Sequence, residues 1–491
     1  GTLFGRNTTG GAVLLMPQKP TDAVEGYVEV SRGNFDLWRY QAVLNLPVTD
    51  NFMVRLGVDD QDRDGYLNNF SGIGPRHFAD SNYTSVRLST LWSISDSVEN
   101  YTILKHTKSD NNGFPGSLFG CPAPGEIPGG LGMAGNCRAD LARRVASGND
   151  GFYDVYNSVT EPVNEQEAAQ IINTVTWEIN DELTFKNILS FATLETYQRS
   201  SLFGENWYDS GQPVIFQQVG LADDLPTTDQ ETAVIELQLQ GTSFDGFMDW
   251  QAGLYYEKSE PGGNSGAQSP ALINCDQESI TSGDPTDFRC YGSIGGFGSL
   301  VRLEGGVEYQ NEAAYFQTTF NAHEQVTVDL GLRYTKDTTE GYSQQTVYTL
   351  FDPSGEPVIF PPIAPVLPPP QYPEESSEEP TWLLGVNYMP TDNSMLYAKY
   401  VRGYRQGSVN IAGGGEYIDT VTGERKNAST HKPEKVDSYE IGSKNQFEIG
   451  VPVTFNIAAF YNDFTDQQIQ FGYFTIYNTG TTAVTNAGSS S

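Results

Sequence analysis

The sequence predicts an all-β fold, a transmembrane antiparallel β-barrel, from three observations. The first is a contrast in connection length. Tight polar turns stand at residues 47–51, 93–100, 180–182, 322–325, 390–393 and 450–452. Between them lie much longer loops, including 63–82, 109–164, 200–230, 259–306 and 338–379. Short turns on one rim and long loops on the other are the layout of an outer-membrane barrel, and a soluble sandwich has no reason to sort its loops this way. The second observation is period-2 alternation in the segments between. The third is the placement of aromatic residues at both ends of those segments.

Taken in chain order, residues 1–20 have no barrel-type partner. Gly5-Arg-Asn-Thr-Thr-Gly-Gly11 is a tight polar turn, and the apolar run 12–16 follows it. This stretch reads as the end of a preceding globular domain, with no signal peptide before it. In the segment 38–46, Trp38, Tyr40, Ala42, Leu44 and Leu46 share one face, and Arg39, Gln41, Val43 and Asn45 share the other. Val86 and Leu88 alternate with Ser85 and Arg87, and Ile235, Leu237 and Leu239 alternate with Glu236, Gln238 and Gln240. Val328, Leu330 and Leu332 alternate with Asp329, Gly331 and Arg333. One face suits lipid and the other a wet or plugged lumen. Trp92 and Trp177 sit beside short turns, while Trp38 and Trp382 sit at the opposite strand ends, as interfacial girdles require. The pattern gives about fifteen strands. The last clear one is 454–464, and no strand pattern is expected in 481–491.

Composition agrees with such a barrel. Hydrophobic residues make up 38% and the mean hydropathy is −0.41. No apolar run reaches the length of about 18 residues that a membrane helix needs. Barrel strands escape that requirement because only alternate residues meet lipid. The formal net charge of −34 excludes nucleic acid as a partner, since phosphate binding needs a basic surface. Two readings of the charge stand: a solvated acidic rim, or a field that draws cationic or metal-bearing ligands. A saline habitat explains it equally well.

The four cysteines fall into two local pairs inside long loops, Cys121 with Cys137 and Cys275 with Cys290. Three connectivities are open. The local one is favoured because each bridge closes a loop of about 15 residues, worth roughly 3 kcal/mol in the chain-entropy model. Disulfides imply an oxidising compartment. Metal ligation by these cysteines is disfavoured, because no CxxC spacing occurs and no histidine lies near them.

At this point the chain resembles a known family. Gly1-Thr-Leu-Phe-Gly-Arg-Asn-Thr-Thr-Gly-Gly-Ala-Val13 with Lys19-Pro20 resembles the end of the plug domain of TonB-dependent outer-membrane receptors. Gly26-Tyr-Val-Glu-Val and Gly33-Asn-Phe-Asp36 resemble the first barrel hairpin, and Asp62-Arg-Asp-Gly-Tyr-Leu-Asn68 the top of an early strand. Gly331-Leu-Arg-Tyr-Thr-Lys-Asp337, Leu396-Tyr-Ala-Lys-Tyr-Val-Arg-Gly-Tyr404 and Pro433-Glu-Lys-Val-Asp-Ser-Tyr-Glu-Ile-Gly442 resemble middle and late segments. The resemblance implies a barrel of the 22-stranded type in the bacterial outer membrane. It implies a plug ending within residues 1–24 and a barrel over 25–491 that is incomplete at its C-terminus. It implies energised uptake of a scarce nutrient such as a ferric siderophore, with membrane lipid, the TonB energising complex and a small ligand as partners. TonB would be engaged through plug residues that this chain does not carry.

The remaining motifs are weak. Asp60-x-Asp62-x-Asp64-Gly65 is half of a calcium loop, but its twelfth position is Ser71 rather than Glu, so a polar strand end is expected. Gly292 to Ser299 is glycine-rich without the ending of a phosphate loop. The proline-rich stretch 360–373 is expected as polyproline II. No histidine lies in a nucleophile motif, so no catalytic constellation, cofactor or enzyme activity is expected. The candidate ligand contacts are loop aromatics, which bind planar or apolar groups with little entropy loss: Phe114, Phe119, Trp207, Tyr208 and Phe297. Two other functions remain open, a passive porin-like channel and a surface adhesion or assembly scaffold.

Overall fold

The computed structural model describes the chain except residues 1–4, 6, 8, 10, 122–132, 203, 205, 210–211, 215–216, 223–224, 283, 294–296, 352–357, 360–362, 367–368, 412–413, 420–421, 475–479 and 489–491. Fifteen strands form one antiparallel meander. They are β1 (Glu25–Arg32), β2 (Trp38–Thr49), β3 (Phe52–Asp62), β4 (Tyr83–Ser95), β5 (Val98–Asn111), β6 (Val163–Asn180), β7 (Leu183–Ser201) and β8 (Thr228–Ser243). They continue as β9 (Met248–Glu260), β10 (Phe297–His323), β11 (Val326–Phe351), β12 (Glu374–Thr391), β13 (Ser394–Arg405), β14 (Glu434–Glu448) and β15 (Pro452–Thr465). Each pairs with the next, from Val30 opposite Tyr40 to Tyr439 opposite Tyr461. Among the described residues no pairing joins β1 to β15, so the wall keeps two edges.

The register carries the alternation of the sequence into two chemically different faces. Ile235, Leu237 and Leu239 point to the open outer face, where Leu237 sits opposite Leu254. Glu236, Gln238 and Gln240 point inward, and Gln240 donates to Gln238 at 3.0 Å. On the inner face of the first strands Arg39 forms an ion pair with Asp59 at 2.5 Å, and Gln41 donates to the same carboxylate at 3.0 Å. A wall this inverted, with apolar side chains outward and ion pairs inward, suits lipid outside and water or protein inside. The outer face ends in rings. Tyr400 and Tyr439 stack at 4.7 Å, Trp382 meets Tyr400 at 6.1 Å, and Arg402 lies over the Trp382 ring at 4.4 Å. At the other rim Trp92 and Trp177 stand open beside the short turns.

Four expectations are corrected. Trp382 is not at a strand end. Strand β12 runs on past it, so the girdle crosses the strand at mid-length. The stretches at 297–306 and 338–351 are not loop: β10 and β11 are 27 and 26 residues long and pair along their whole length. At 3.3 Å per residue that hairpin reaches roughly 85 Å, far more than a bilayer needs. Beyond the girdle the lumen-side face stays buried but carries polar Asp337, Thr339 and Ser343, and the outer face meets water instead of lipid, so lipid-type alternation fades while pairing continues. The tail is not featureless either, because Gln468–Phe474 and Gly480–Asn486 form a hairpin. In the proline-rich stretch, Ile363–Val366 pairs with β11 as a short strand.

Both local disulfides are formed, Cys121–Cys137 and Cys275–Cys290. The second belongs to a small core outside the membrane band, where Val219, Ile273, Ile280, Phe288, Leu300 and Tyr348 are buried together. This core rests on the upper part of the tall hairpin.

Candidate functional site

The N-terminal segment lies against the inner face of the wall. Lys19 reaches Glu99 of β5 at 2.5 Å and lies over the Tyr101 ring at 5.4 Å. Gln18 accepts from the Arg55 guanidinium at 2.9 Å. Asn45 is fully buried, and its amide donates to the carbonyls of Thr21 and Ala23 at 2.9 and 2.6 Å. Farther along, the Asn7 amide donates to the Tyr404 carbonyl at 3.1 Å, and the Gln406 amide donates to Asn7 Oδ1 at 3.3 Å. Gly5 has a φ of 73°, and a Cβ there would stand 3.0 Å from Arg333 Nη2, so the buried guanidinium and the backbone fit only with glycine. Asn7 and residues 18–21 thus hold to the polar face of the wall, using the inward-facing Arg, Asn and Glu that the alternation reserves for that side, while Val13, Leu15 and Met16 between them stand open.

At the long-loop rim, two loops and the first hairpin turn build an aromatic cleft of about 700 Å³. Its walls are Phe35, Tyr66, Phe152 and Tyr153, with Asp64, Asn68 and His77 between them. Tyr66 is the hub. It meets Phe35 at 6.0 Å, Tyr153 at 6.2 Å and Phe114 at 6.4 Å, and the Arg63 guanidinium lies 5.6 Å over its ring. Gly65 sets this hub: a Cβ there would collide with the Phe78 carbonyl oxygen at 2.1 Å, so only glycine lets the loop pass. Leu67 pairs with Phe78, and Asn68 pairs in parallel with Asp154, which locks the loops at 63–82 and 112–162 together over a buried core of Leu67, Phe78, Ala79 and Val155. Burial pushes the Asp80 carboxyl above its ordinary range, although the Asn112 amide bonds it at 2.9 Å. His77 lines the cleft, and its buried Nδ1 has no hydrogen-bond partner among the described residues.

Helix α1 (Met133–Ser147) braces the same loop. Arg144 and Asp140 are almost fully buried and pair at 2.8 Å, and Arg144 also donates to the Gly204 carbonyl at 2.6 Å. The Arg143 guanidinium donates to the Asn206 carbonyl at 2.8 Å, so the helix holds the next loop as well.

Of the aromatics singled out from sequence, Phe114 joins the cleft through Tyr66, while Phe119 stands 95% exposed. Trp207, Tyr208 and Phe297 lie in strands, but their side chains fall outside the described residues. Sequence reasoning passed over Phe35, Tyr66, Phe152 and Tyr153. The available signal was Asp64-Gly65-Tyr66, a glycine fixing a turn immediately before a ring. Asp60 and Asp62 lie in or at the end of extended β3, with Asp60 accepting from Thr84 at 2.6 Å, as a polar strand end requires. Part of the negative charge sits outward above the girdle. Glu165, Glu167 and Glu195 cluster there beside Lys108 and His106, a solvated acidic rim.

His431 titrates in the loop over the mouth. It pairs with Ser408, and burial with the nearby Arg405 charge pulls its pKa down from 6.5 to about 4. The unfolded loop therefore takes up the proton first as pH falls. The stabilisation is complete above pH 6.5 and is lost as pH drops toward 4. Hydrogen exchange at the Ser408 and Val409 amides is expected to accelerate across that window, beyond the intrinsic pH effect, and His431→Gln is expected to flatten the response. A flat wild-type profile would contradict this account of His431.

The TonB-dependent receptor-like β-barrel family model matches residues 107–490. No curated protein matches the chain by sequence. Among solved structures, the ferric yersiniabactin uptake receptor FyuA of Yersinia pestis superposes with a TM-score of 0.64 at 16% identity, covering 100% of this chain and 60% of that one. The closed form of the ferric-catecholate import receptor Fiu of E. coli K12 gives 0.63 at 15% identity, with 98% and 63% covered. The siderophore receptor PiuA of Acinetobacter baumannii gives 0.61 at 14% identity, with 99% and 62% covered. The chain therefore spans somewhat under two thirds of the length of these receptors. The inverted wall, its two girdles and the family match together make this an outer-membrane protein, and the chain belongs to the TonB-dependent receptor β-barrel family.

Proposed function

We propose that this chain forms most of the barrel of a TonB-dependent receptor, with residues 1–24 as the end of its plug, and that the receptor imports a ferric siderophore. The observation that carries this reading is the bonding of Asn7, Gln18, Lys19 and Thr21 to the inner face of the wall at Tyr404, Arg55, Glu99 and Asn45. A passive pore gains nothing from a segment bonded along its inner wall, whereas a gated importer requires one. The neighbours named above as siderophore receptors point to the same ligand class. Recognition falls to the cleft around Tyr66, where rings take a planar ligand and Arg63 and His77 supply polar contacts. Phe119, Trp207, Tyr208 and Phe297 are proposed as further contacts from neighbouring loops.

The test is uptake of radioactive ferric siderophore into a receptor-null cell. The full-length receptor is expected to restore it only when TonB is present, and Tyr66→Ala with Phe152→Ala to weaken ligand binding by roughly 10–100-fold, as loss of two ring contacts to the ligand implies. Residues 1–491 alone are expected to be inactive. Uptake by residues 1–491 without TonB would overturn the proposal in favour of a passive pore.

A further inference from the structure

A second cleft, of about 540 Å³, opens on the side of the tall hairpin away from the lumen. Its ring wall is Tyr342 on β11 with Tyr372, whose centroids lie 5.5 Å apart at 41°. Arg302, Glu304, Glu308 and Glu340 line one part, and Leu221, Leu225 and Pro261 another. These positions continue the face that meets lipid lower down: Tyr342 shares parity with Leu332 and Tyr334, and Glu340 stands between Glu308 and Glu374 in the sheet. The opposite, lumen-side face of the same strand is covered by Val409 and Ile411, against which a Cβ at Gly341 would press at 2.9 and 2.8 Å.

Height decides what this cleft meets. Tyr334, open on the outer face, marks the girdle level on β11. Tyr342 is eight residues farther up, about 26 Å of strand and roughly 20 Å of height at the usual tilt. That lies beyond acyl chains and phosphates, at the level of the sugars that an outer-leaflet glycolipid projects. The chemistry agrees. The exposed Tyr342 and Tyr372 rings, inclined to one another, offer apolar faces to the C–H face of a pyranose, and carboxylates accept hydrogen bonds from its hydroxyls. A phosphate is disfavoured, because three carboxylates face one guanidinium and Arg302 is already engaged with Glu304 at 2.7 Å. Glu340 has no ion-pair or hydrogen-bond partner of its own among the described residues, so its acceptors are open to a ligand.

We propose that this outward cleft binds a neutral or amino-sugar saccharide, the kind carried by outer-leaflet glycolipids, independently of transport through the lumen. The experiment uses the full-length receptor in phospholipid nanodiscs. One arm titrates dephosphorylated lipopolysaccharide core oligosaccharide, and the other incorporates intact lipopolysaccharide and counts bound copies by native mass spectrometry. Tyr342→Ala with Tyr372→Ala is expected to weaken binding at least tenfold. Glu340→Gln, an exposed change that leaves the packing alone, is expected to weaken it severalfold, while siderophore uptake stays at the wild-type level. Binding of the free oligosaccharide assigns the site to soluble saccharide as well as lipid, and binding of lipopolysaccharide alone assigns it to the membrane glycolipid. Absence of both, binding indifferent to Tyr342, Tyr372 and Glu340, or binding abolished only by Arg302→Gln as for a phosphate ligand, would overturn the proposal.

Discussion

Leu237→Arg is expected to destabilise the folded receptor by roughly 2–4 kcal/mol in bilayers, and Gln238→Arg by far less. The asymmetry follows from one step along β8. Leu237 lies on the open apolar face between Ile235 and Leu239, where a guanidinium would sit in hydrocarbon. Gln238 faces the lumen beside Gln240 and Gln251, where a cation meets water and amide oxygens. Reversible denaturation of the receptor from lipid vesicles measures both. Equal losses at the two positions would mean that the faces are not chemically distinct at this depth.

Arg144→Ala is expected to cost up to about 3–5 kcal/mol of local stability, because it removes the buried cation from Asp140 and leaves the carboxylate only the half-exposed Arg143 at 2.9 Å. The pair is 2% and 1% exposed, and Arg144 also covers the Tyr156 ring at 4.2 Å. The loss is confined to the loops. Helix α1 is expected to show faster amide exchange and new protease cleavage, while the wall keeps its melting point. Asp140→Asn, which retains an acceptor of the same shape, is expected to cost less. An unchanged exchange rate over α1 in Arg144→Ala would show that the Cys121–Cys137 bridge alone holds the helix.

How much of this was legible depends on what each residue contacts. The wall was legible because lipid imposes one rule on every second residue, so Leu237, Leu330 and Leu332 announce their face without knowledge of their partners. The turns at 181–182 and 392–393 were legible because their polar residues interrupt that rule. The upper tall hairpin was not, because its buried face carries polar Asp337, Thr339 and Ser343 while its outer face meets water, so alternating burial leaves no apolar mark in the sequence. The disulfides were legible from loop closure. The cleft was legible only in part. Phe114 was found as a loop aromatic, but Phe35, Tyr66 and Phe152 come together through contacts spanning many tens of residues, and only the glycine before Tyr66 hinted at the geometry. The acidic composition resolves locally into carboxylates such as Glu165 and Glu195, which ring the outer wall above the lipid.

The central claim is that the wall has lipid on its apolar face and the plugged lumen on its polar face, and spin labels test it most directly. With single labels at positions 237 and 238 of the full-length receptor in bilayers, oxygen is expected to relax the label at 237 strongly, because it concentrates in the acyl chains. A polar nickel reagent is expected to reach the label at 238 and not the one at 237. A label at 237 reached by neither reagent would be packed inside protein, and that result would contradict the membrane-facing wall.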